Sequence, residues 1–264
     1  MRKEMGEVTL PPQHLASHIY HLKKNMRISL VGYGKMGKVI EQIALQRGHQ
    51  ISFKIDVSNQ SDIEKINKDN TDVVIEFTSP EVAYTNLKTL MSNHVPTVCG
   101  TTGWLQHKPE IEQLCQEHKA AFFYASNYSI GVNLFFQLNK TLAKLMSTQK
   151  QYEVITTEIH HTEKKDAPSG TAITLAEGII ENQGEKAKWV NNQIPTAEEV
   201  AIWSIREGKV PGTHTIKYIS DVDEIEIKHA ANSRQGFALG AVVAAEWLSD
   251  KQGVFGMDDL LGLK

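Results

Sequence analysis

Residues 28–48 read ISLVGYGKMGKVIEQIALQRG, and the order of features in this stretch decides the fold. Ile28 to Val31 form a short β-rich run. Gly32, Gly34 and Gly37 then fall in the pattern G-x-G-x-x-G, and Met36, Val39, Ile40, Ile43 and Ala44 recur at helical spacing. Gly48 closes the helix as a C-cap does. A glycine triplet alone arises by chance, but between a strand and a helix it has a mechanical meaning. The first glycine allows the tight turn, the second lets the backbone approach a pyrophosphate, and the third lets helix and strand pack closely. The helix start adds free N–H groups and a partial positive charge for phosphates. Gly32, Tyr33, Gly34, Lys35, Met36 and Gly37 are therefore candidate cofactor-binding residues.

Outward from this turn the pattern repeats. ISFKID (51–56) reads as a second strand and ends in Asp56, roughly 20 residues on from the turn, where a carboxylate accepts hydrogen bonds from ribose hydroxyls. Val57 follows instead of an arginine, which points to NADH, with NADPH as the alternative served by Lys54 or Lys35. DVVIEF (72–77), VPTVCG (95–100) and AAFFYA (120–125) read as further strands, with helices over 80–93 and 108–119 between them. Strands alternating with helices imply a parallel sheet covered on both faces. Gly100-Thr101-Thr102-Gly103 leaves its strand at the carboxyl end, the edge where ligands bind open α/β sheets.

After Asn127 the pattern changes. The periodicity predicts helices over 130–146 and 170–182, a strand over 152–161, and then a run of strands, AIWSIR (201–206), THTIKYIS (213–220) and DEIEIKHA (223–230). A last helix over 235–248 is rich in Ala and Val and suited to cover the first sheet. The expected fold class is an α/β Rossmann-type dinucleotide-binding domain plus an α+β substrate and oligomerisation domain with an open mixed sheet. The expected division is 26–127 completed by 235–264, and 128–234. Residues 1–25, with Pro11-Pro12 and no clear periodicity, read as an N-terminal extension ahead of Met26, or alternatively as a helix docking on a neighbouring subunit.

Charge and composition remove several function classes. Lys plus Arg number 28 against 31 Asp plus Glu, a net charge of -3, so no basic field draws this chain to nucleic acid. No apolar run reaches membrane-spanning length and no signal peptide precedes the first strand. The two cysteines, Cys99 and Cys115, have neither metal nor redox spacing, which suits a reducing compartment and a cytoplasmic location.

Residues 158–172, EIHHTEKKDAPSGTA, are the most informative in the second half. The pair His160-His161 lacks a third obvious His or Cys at ligand spacing, and Lys164 and Lys165 would repel a cation, so no metal is expected. A histidine that titrates near neutrality and a lysine that donates to an anion are presented together at a strand end. Pro168 stiffens the approach to a helix, and Ser169 and Thr171 are placed to cap it, so the helix start is ready for a carboxylate. Two donor-rich clusters beside a hydride donor suit a small dicarboxylic acid.

The combination of GYGKMG (32–37), FTSPE (77–81), GTTG (100–103), ASNYSIGVN (125–133), HHTEKKDAPSGTA (160–172) and REGKVPGTH (206–214) closely resembles the dihydrodipicolinate reductase family, from about Met26 to the C-terminus. The resemblance implies NAD(P)H-dependent reduction of 4-hydroxy-tetrahydrodipicolinate in the diaminopimelate route to lysine. It implies His160 as general acid/base and Lys164 as proton donor, with His161, Ser169, Gly170 and Thr171 holding the substrate. It also implies that Asp56, Phe77, Thr78, Gly100, Thr101, Thr102, Ala125, Ser126, Asn127 and Tyr128 join the glycine turn around the cofactor. A homotetramer built on the open sheet, and closure about segments near Asn127 and Arg234, are further implications. The chain departs from many members in a shorter glycine turn, in Val57 in place of an arginine, and in Ser79 where another arginine is common; these departures bear on the cofactor, not the reaction. A two-domain amino-acid dehydrogenase would need neither the His-Lys motif nor PSGTA, and a silent cofactor-binding regulator would be expected to lose His160 and Lys164 first.

Overall fold

The computed structural model describes residues 25–233 and 235–263. The expected extension, apart from Asn25, and Arg234 lie outside the described residues. The first half contains β1 (Arg27–Val31), α1 (Lys35–Gln46), β2 (Gln50–Ile55), β3 (Val73–Glu76), α2 (Pro80–Ser92), β4 (Thr97–Cys99), α3 (Lys108–Glu117) and β5 (Ala121–Tyr124). The second half adds α4 (Ile130–Met146), β6 (Glu153–His160), α5 (Gly170–Asn182), β7 (Lys188–Asn191), β8 (Glu199–Arg206), β9 (Thr213–Ile219), β10 (Glu224–Ala230), α6 (Gln235–Leu248), β11 (Gly253–Phe255) and α7 (Met257–Leu261).

The first sheet has the order β11-β5-β4-β3-β1-β2 and all its pairs are parallel. Every residue of β3 and β4 is buried, because helices cover both faces and no side of these strands meets water. One core lies between the sheet and α1 with α6, around Leu30, Ile75, Phe123 and Val242; the other lies against α2 and α3, around Val74, Leu87 and Ile111. From β1 the chain steps to β2 on one side and then crosses to β3 on the other. The carboxyl ends of β1 and β3 therefore flank a crevice at the switch point, the general ligand position of open α/β sheets.

Helix α6 returns to this sheet from the far end of the sequence, and a buried ion cluster fixes it there. Arg47 donates from Nε and Nη2 to the two carboxylate oxygens of Glu246 at 2.7 Å each. His49 Nε2 lies 2.7 Å from Glu246 Oε1, while the Met26 N–H donates to His49 Nδ1 at 3.3 Å, which assigns the ring proton to Nε2. Burial acts to raise the Glu246 carboxyl, but Arg47 and then His49 outweigh it and hold the group below its ordinary value of 4.5. Glu246→Ala removes the carboxylate that the buried Arg47 guanidinium and the His49 N–H share and is expected to cost about 3 kcal/mol, read from urea midpoints. Because the folded-state value is depressed, the wild-type contribution is complete above the ordinary value and lost as pH falls below it. The gap between wild type and variant should shrink from about pH 7 to about pH 3; a gap constant with pH would contradict this account.

The second sheet has the order β10-β9-β6-β8-β7, with parallel pairs among β6, β7 and β8 and antiparallel pairs of β9 with β6 and β10. Strand β6 alternates strictly, burying Val154, Thr156, Glu158 and His160. Helices α4 and α5 cover that face through Phe135, Met146, Leu175 and Ile179, which meet Ile202, Ile216 and Tyr218. The inward face of β6 thus begins apolar and ends in two titratable groups. Three elements have no clear periodic signal: β7 (KWVN) is a polar edge strand, β11 is three residues long, and α7 is barely more than a turn.

Candidate active site

A cavity of about 580 Å³ opens between the two sheets, with Met36, Thr102 and Asn127 on one wall and His160, Lys164 and Thr171 on the other. The glycine turn, the GTTG loop, the ASNYS segment and the His-Lys motif, dispersed over more than a hundred residues, meet here.

The turn after β1 fits a dinucleotide. Gly32 adopts φ +98 and its N–H, like that of Tyr33, donates to the Ile55 carbonyl at 2.9 and 3.0 Å. A Cβ at Gly32 would stand 1.9 Å from the Phe77 carbonyl oxygen, and one at Gly37 would stand 2.3 Å from the Gly32 oxygen, so both glycines serve close backbone packing. Gly34 differs, since a Cβ there would meet nothing within 4 Å. It is the N-cap of α1, no side chain caps the helix, and no acidic residue stands in its first turn. Open space in front of an uncapped helix start is a cradle for a pyrophosphate. Lys35 is exposed there and Met36 reaches the cavity.

At the outer edge of β2, Asp56 accepts from the Ser58 N–H at 2.7 Å and from its hydroxyl at 2.6 Å. The hydroxyl bond, then the backbone one, holds the Asp56 carboxyl below its ordinary range. Lys54 pairs with Glu41 of α1 at 2.5 Å and lies 5.1 Å from the centre of the Tyr33 ring, whose hydroxyl also donates to Glu41. The lysine that the sequence offers to a 2′-phosphate is thus already matched with an anion.

Three of the expected cofactor residues act behind the cleft surface. Tyr128 is 2% exposed and donates its hydroxyl to the Cys99 carbonyl at 2.7 Å, so it is a core residue that ties β4 to the start of α4. Thr101 is buried, accepting from the Thr78 N–H at 2.7 Å and, through its carbonyl, from Trp104 Nε1 at 2.7 Å. Ala125 is also buried. Motif position alone does not separate a residue that faces the ligand from one that supports its neighbour. Phe77 packs its ring over Gly100, where a Cβ would stand 2.1 Å from the ring, and Thr78 gives its hydroxyl to the buried Glu76 carboxyl, which burial pushes up. Thr102, Ser126 and Asn127 face the cavity.

On the other wall, the end of β6 presents His160 and the following turn presents His161 and Lys164. Lys164 Nζ is 2.8 Å from both carboxylate oxygens of Asp166. Ser169 is the N-cap of α5; its hydroxyl accepts from the Ala172 N–H at 3.2 Å and lies 3.2 Å from His214 Nε2. That hydroxyl is committed to the fold, and the open donors of this helix start belong to Gly170 and Thr171, where a Cβ on Gly170 would meet nothing within 4 Å.

Four residues of this wall carry no assigned role in the sequence reading. Glu158, fully buried, accepts from the Ser169 N–H at 3.0 Å and from Arg206 Nη2 at 3.1 Å, and its Oε2 lies 2.9 Å from His160 Nδ1. Burial would raise this carboxyl, but His160 and Ser169 hold it well below the usual range. His214 stands opposite Glu158 in the antiparallel β6–β9 pair and Arg206 opposite His160 in the parallel β6–β8 pair. Gly212, at φ +156, leaves room for the His160 ring, since a Cβ there would be 3.0 Å from Nε2. The signal was present: Glu158 shares the inward face of β6 with His160, and Arg206, Gly212 and His214 all lie in REGKVPGTH.

These contacts also revise one expectation. The third histidine that the sequence lacks at ligand spacing is supplied by the sheet, and ligand atoms of Glu158, His160 and His214 lie within 4.8 Å of one another. Arg206 already provides positive charge at the carboxylate, and burial, followed by the charge of His160, pushes His214 down to about 4.

A family model described as dihydrodipicolinate reductase, N-terminus, matches residues 26–128, and one described as dihydrodipicolinate reductase, C-terminus, matches residues 131–261. The chain is 48% identical over 238 residues to the 4-hydroxy-tetrahydrodipicolinate reductase of Christiangramia forsetii, covering 89% of this chain and 98% of that relative. It is 36% identical over 235 residues to the protein of the same name from Methanosarcina acetivorans, covering 87% of each. A solved structure, dipicolinate-bound dihydrodipicolinate reductase from Paenisporosarcina sp. TG-14, shares the fold with a TM-score of 0.73 at 20% identity, over 89% of this chain and 99% of that one. With both halves matched and the glycine turn and His-Lys motif facing one cleft, the chain belongs to the dihydrodipicolinate reductase family.

Proposed function

We propose that this cleft reduces 4-hydroxy-tetrahydrodipicolinate to tetrahydrodipicolinate at the expense of a nicotinamide dinucleotide, with His160 as general acid/base and Lys164 as proton donor. The observation that carries the assignment is that both side chains open into the same cavity as the start of α5 and the edge of the glycine turn. The dinucleotide, held by the turn at Gly32–Gly37 and the loop at Gly100–Thr102, supplies the hydride when bound. The N–H groups of Gly170 and Thr171 and the side chain of His161 hold the substrate's carboxylates. Once the C4 hydroxyl has left as water, hydride arrival at C4 pushes an electron pair through the conjugated ring toward nitrogen. Lys164 and cationic His160 stabilise that charge and return a proton, a contribution worth a few kcal/mol when donors are preorganised. The dinucleotide unit is 26–127 closed by 235–264, and 128–234 forms the substrate unit.

The preferred cofactor is NADH. Asp56 is anionic and fixed by Ser58, and Lys54 is paired with Glu41; a 2′-phosphate there would meet the Asp56 charge and would have exposed Lys35 and Lys38, not Lys54, to offset it. The outer face of the second sheet, with Ile205 exposed, is where four copies would meet. No helix among the described residues is long and apolar enough to cross a membrane, and we place the enzyme in the cytoplasm. The test is absorbance at the reduced-nicotinamide band with freshly generated substrate. The expected result is oxidation of both cofactors with kcat/KM about tenfold higher for NADH, roughly 1.4 kcal/mol, from a species with the light-scattering mass of four chains. Binding of cofactor without any oxidation would refute the reaction, a preference for NADPH the cofactor choice, and a monomer the assembly.

A further inference from the structure

The inward face of β6 sends Val154 into the apolar core against α4 and α5 and ends in a buried carboxylate behind His160. Its surroundings face the reaction. Arg206 on β8 and the Ser169 N–H at the start of α5 fix Oε1. Oε2 of Glu158 and Nδ1 of His160 stand 2.9 Å apart, and neither makes an aligned hydrogen bond with any described residue, so their close approach is the contact that links them. His214 on β9 approaches Oε2 at 4.0 Å, Ser204 on β8 is its parallel cross-strand neighbour, and Lys164 and Asp166 lie on the adjoining turn, with His229 next along on β10.

We propose that Glu158 is a positioning residue for the reduction: fixed by Arg206 and Ser169, its free oxygen holds the proton on His160 Nδ1, so that Nε2 is the nitrogen that exchanges a proton with the substrate. The inference rests on the assignment of His160 as acid/base. In the forward step the Nε2–H bond breaks, its proton goes to the substrate and its electron pair stays on the ring, while the Nδ1–H stays in place against the carboxylate. Cationic imidazolium then becomes the neutral Nδ1–H tautomer without moving. His214, pushed down to about 4 chiefly by burial, is neutral at working pH and does not compete for the charge of Glu158.

The test combines a variant cycle with a measurement on unaltered protein. Glu158→Gln is expected to lower kcat by about 10²-fold near neutrality, with NADH affinity close to wild type and a lowered melting temperature, since a buried paired charge is lost. The loss should be smaller at acid pH, because without the carboxylate the alkaline limb of the kcat profile moves down. In a His160→Gln background the same change is expected to cost less than about twofold. Full activity in His160→Gln would overturn the acid/base assignment itself. An inactive His160→Gln with an equal penalty from Glu158→Gln in both backgrounds, at every pH, would overturn only the positioning role. In wild-type protein, long-range ¹H–¹⁵N spectra are expected to show neutral His160 protonated on Nδ1, and protonation on Nε2 instead would overturn the proposal whether or not the variants fold.

Discussion

The double variant His160→Gln, Lys164→Ala is expected to lose about 10⁴-fold or more in kcat while binding NADH as the wild type does. Loss of one proton-transfer group costs typically about 10²–10⁴-fold. The two groups act on one developing charge, so their separate losses should not multiply fully. Neither side chain belongs to the glycine turn, and His160 reaches the cavity from a strand of the other sheet. Lys164 is held by an exposed turn carboxylate, Asp166, rather than by the core, so removing it should leave the melting temperature nearly unchanged. Lys164→Ala alone should raise the KM for substrate as well as lower kcat, because the ammonium both holds and protonates; His160→Gln alone should act on kcat. The measurement is steady-state oxidation of NADH beside fluorescence titration of NADH onto each variant. A double variant with more than a tenth of wild-type turnover would show that the cleft uses other proton donors.

The sequence was most legible where structure is local. The helices over 130–146, 170–182 and 235–248 have the bounds that their periodicity predicts, because the first two carry a continuous apolar face behind a capping serine and the third is apolar through most of its length. The parallel sheet was legible from alternation of element types, and the glycine turn from its place between a strand and a helix. What escaped was made by pairing between distant strands. Glu158 meets His214 and Ser204, and His160 meets Arg206, only through the register of β6 with its two neighbours. Register is set by which faces are buried across the whole sheet, and no short window of sequence states it. The motif REGKVPGTH was visible as a resemblance, yet its three working parts became physical only when the sheet placed them beside His160. Tyr128 was legible as part of the motif but not as a core residue: its neighbours Ser126 and Asn127 line the cleft, while its large ring is buried and its hydroxyl finds the Cys99 carbonyl.

Two glycines in one turn separate what the fold requires from what the ligand requires. At Gly32 an added methyl group is opposed twice: φ is +98, and the Cβ would sit 1.9 Å from the Phe77 oxygen and 2.4 Å from its carbonyl carbon, a backbone wall that cannot step aside. Gly32→Ala must therefore open the turn between β1 and β3 at the switch point. It is expected to cost about 1–3 kcal/mol from the backbone conformation alone, more with the clash, and to abolish measurable NADH binding. At Gly34 the same methyl group meets nothing within 4 Å and φ is -82, an ordinary conformation for any residue. Gly34→Ala should lower the melting temperature only slightly, by the roughly 1 kcal/mol or less that alanine costs relative to glycine at an N-cap. Its methyl group would nevertheless fill the space before the uncapped start of α1, so NADH affinity is expected to fall by at least about tenfold, or 1.4 kcal/mol. Thermal melts with and without NADH read both effects at once: Gly32→Ala should melt low in either condition, whereas Gly34→Ala should melt only slightly low alone and lose the upward shift that NADH gives the wild type. A Gly34→Ala protein with an unchanged ligand-induced shift would mean that the pyrophosphate does not pass over this turn, and the cofactor would have to be placed elsewhere in the cleft.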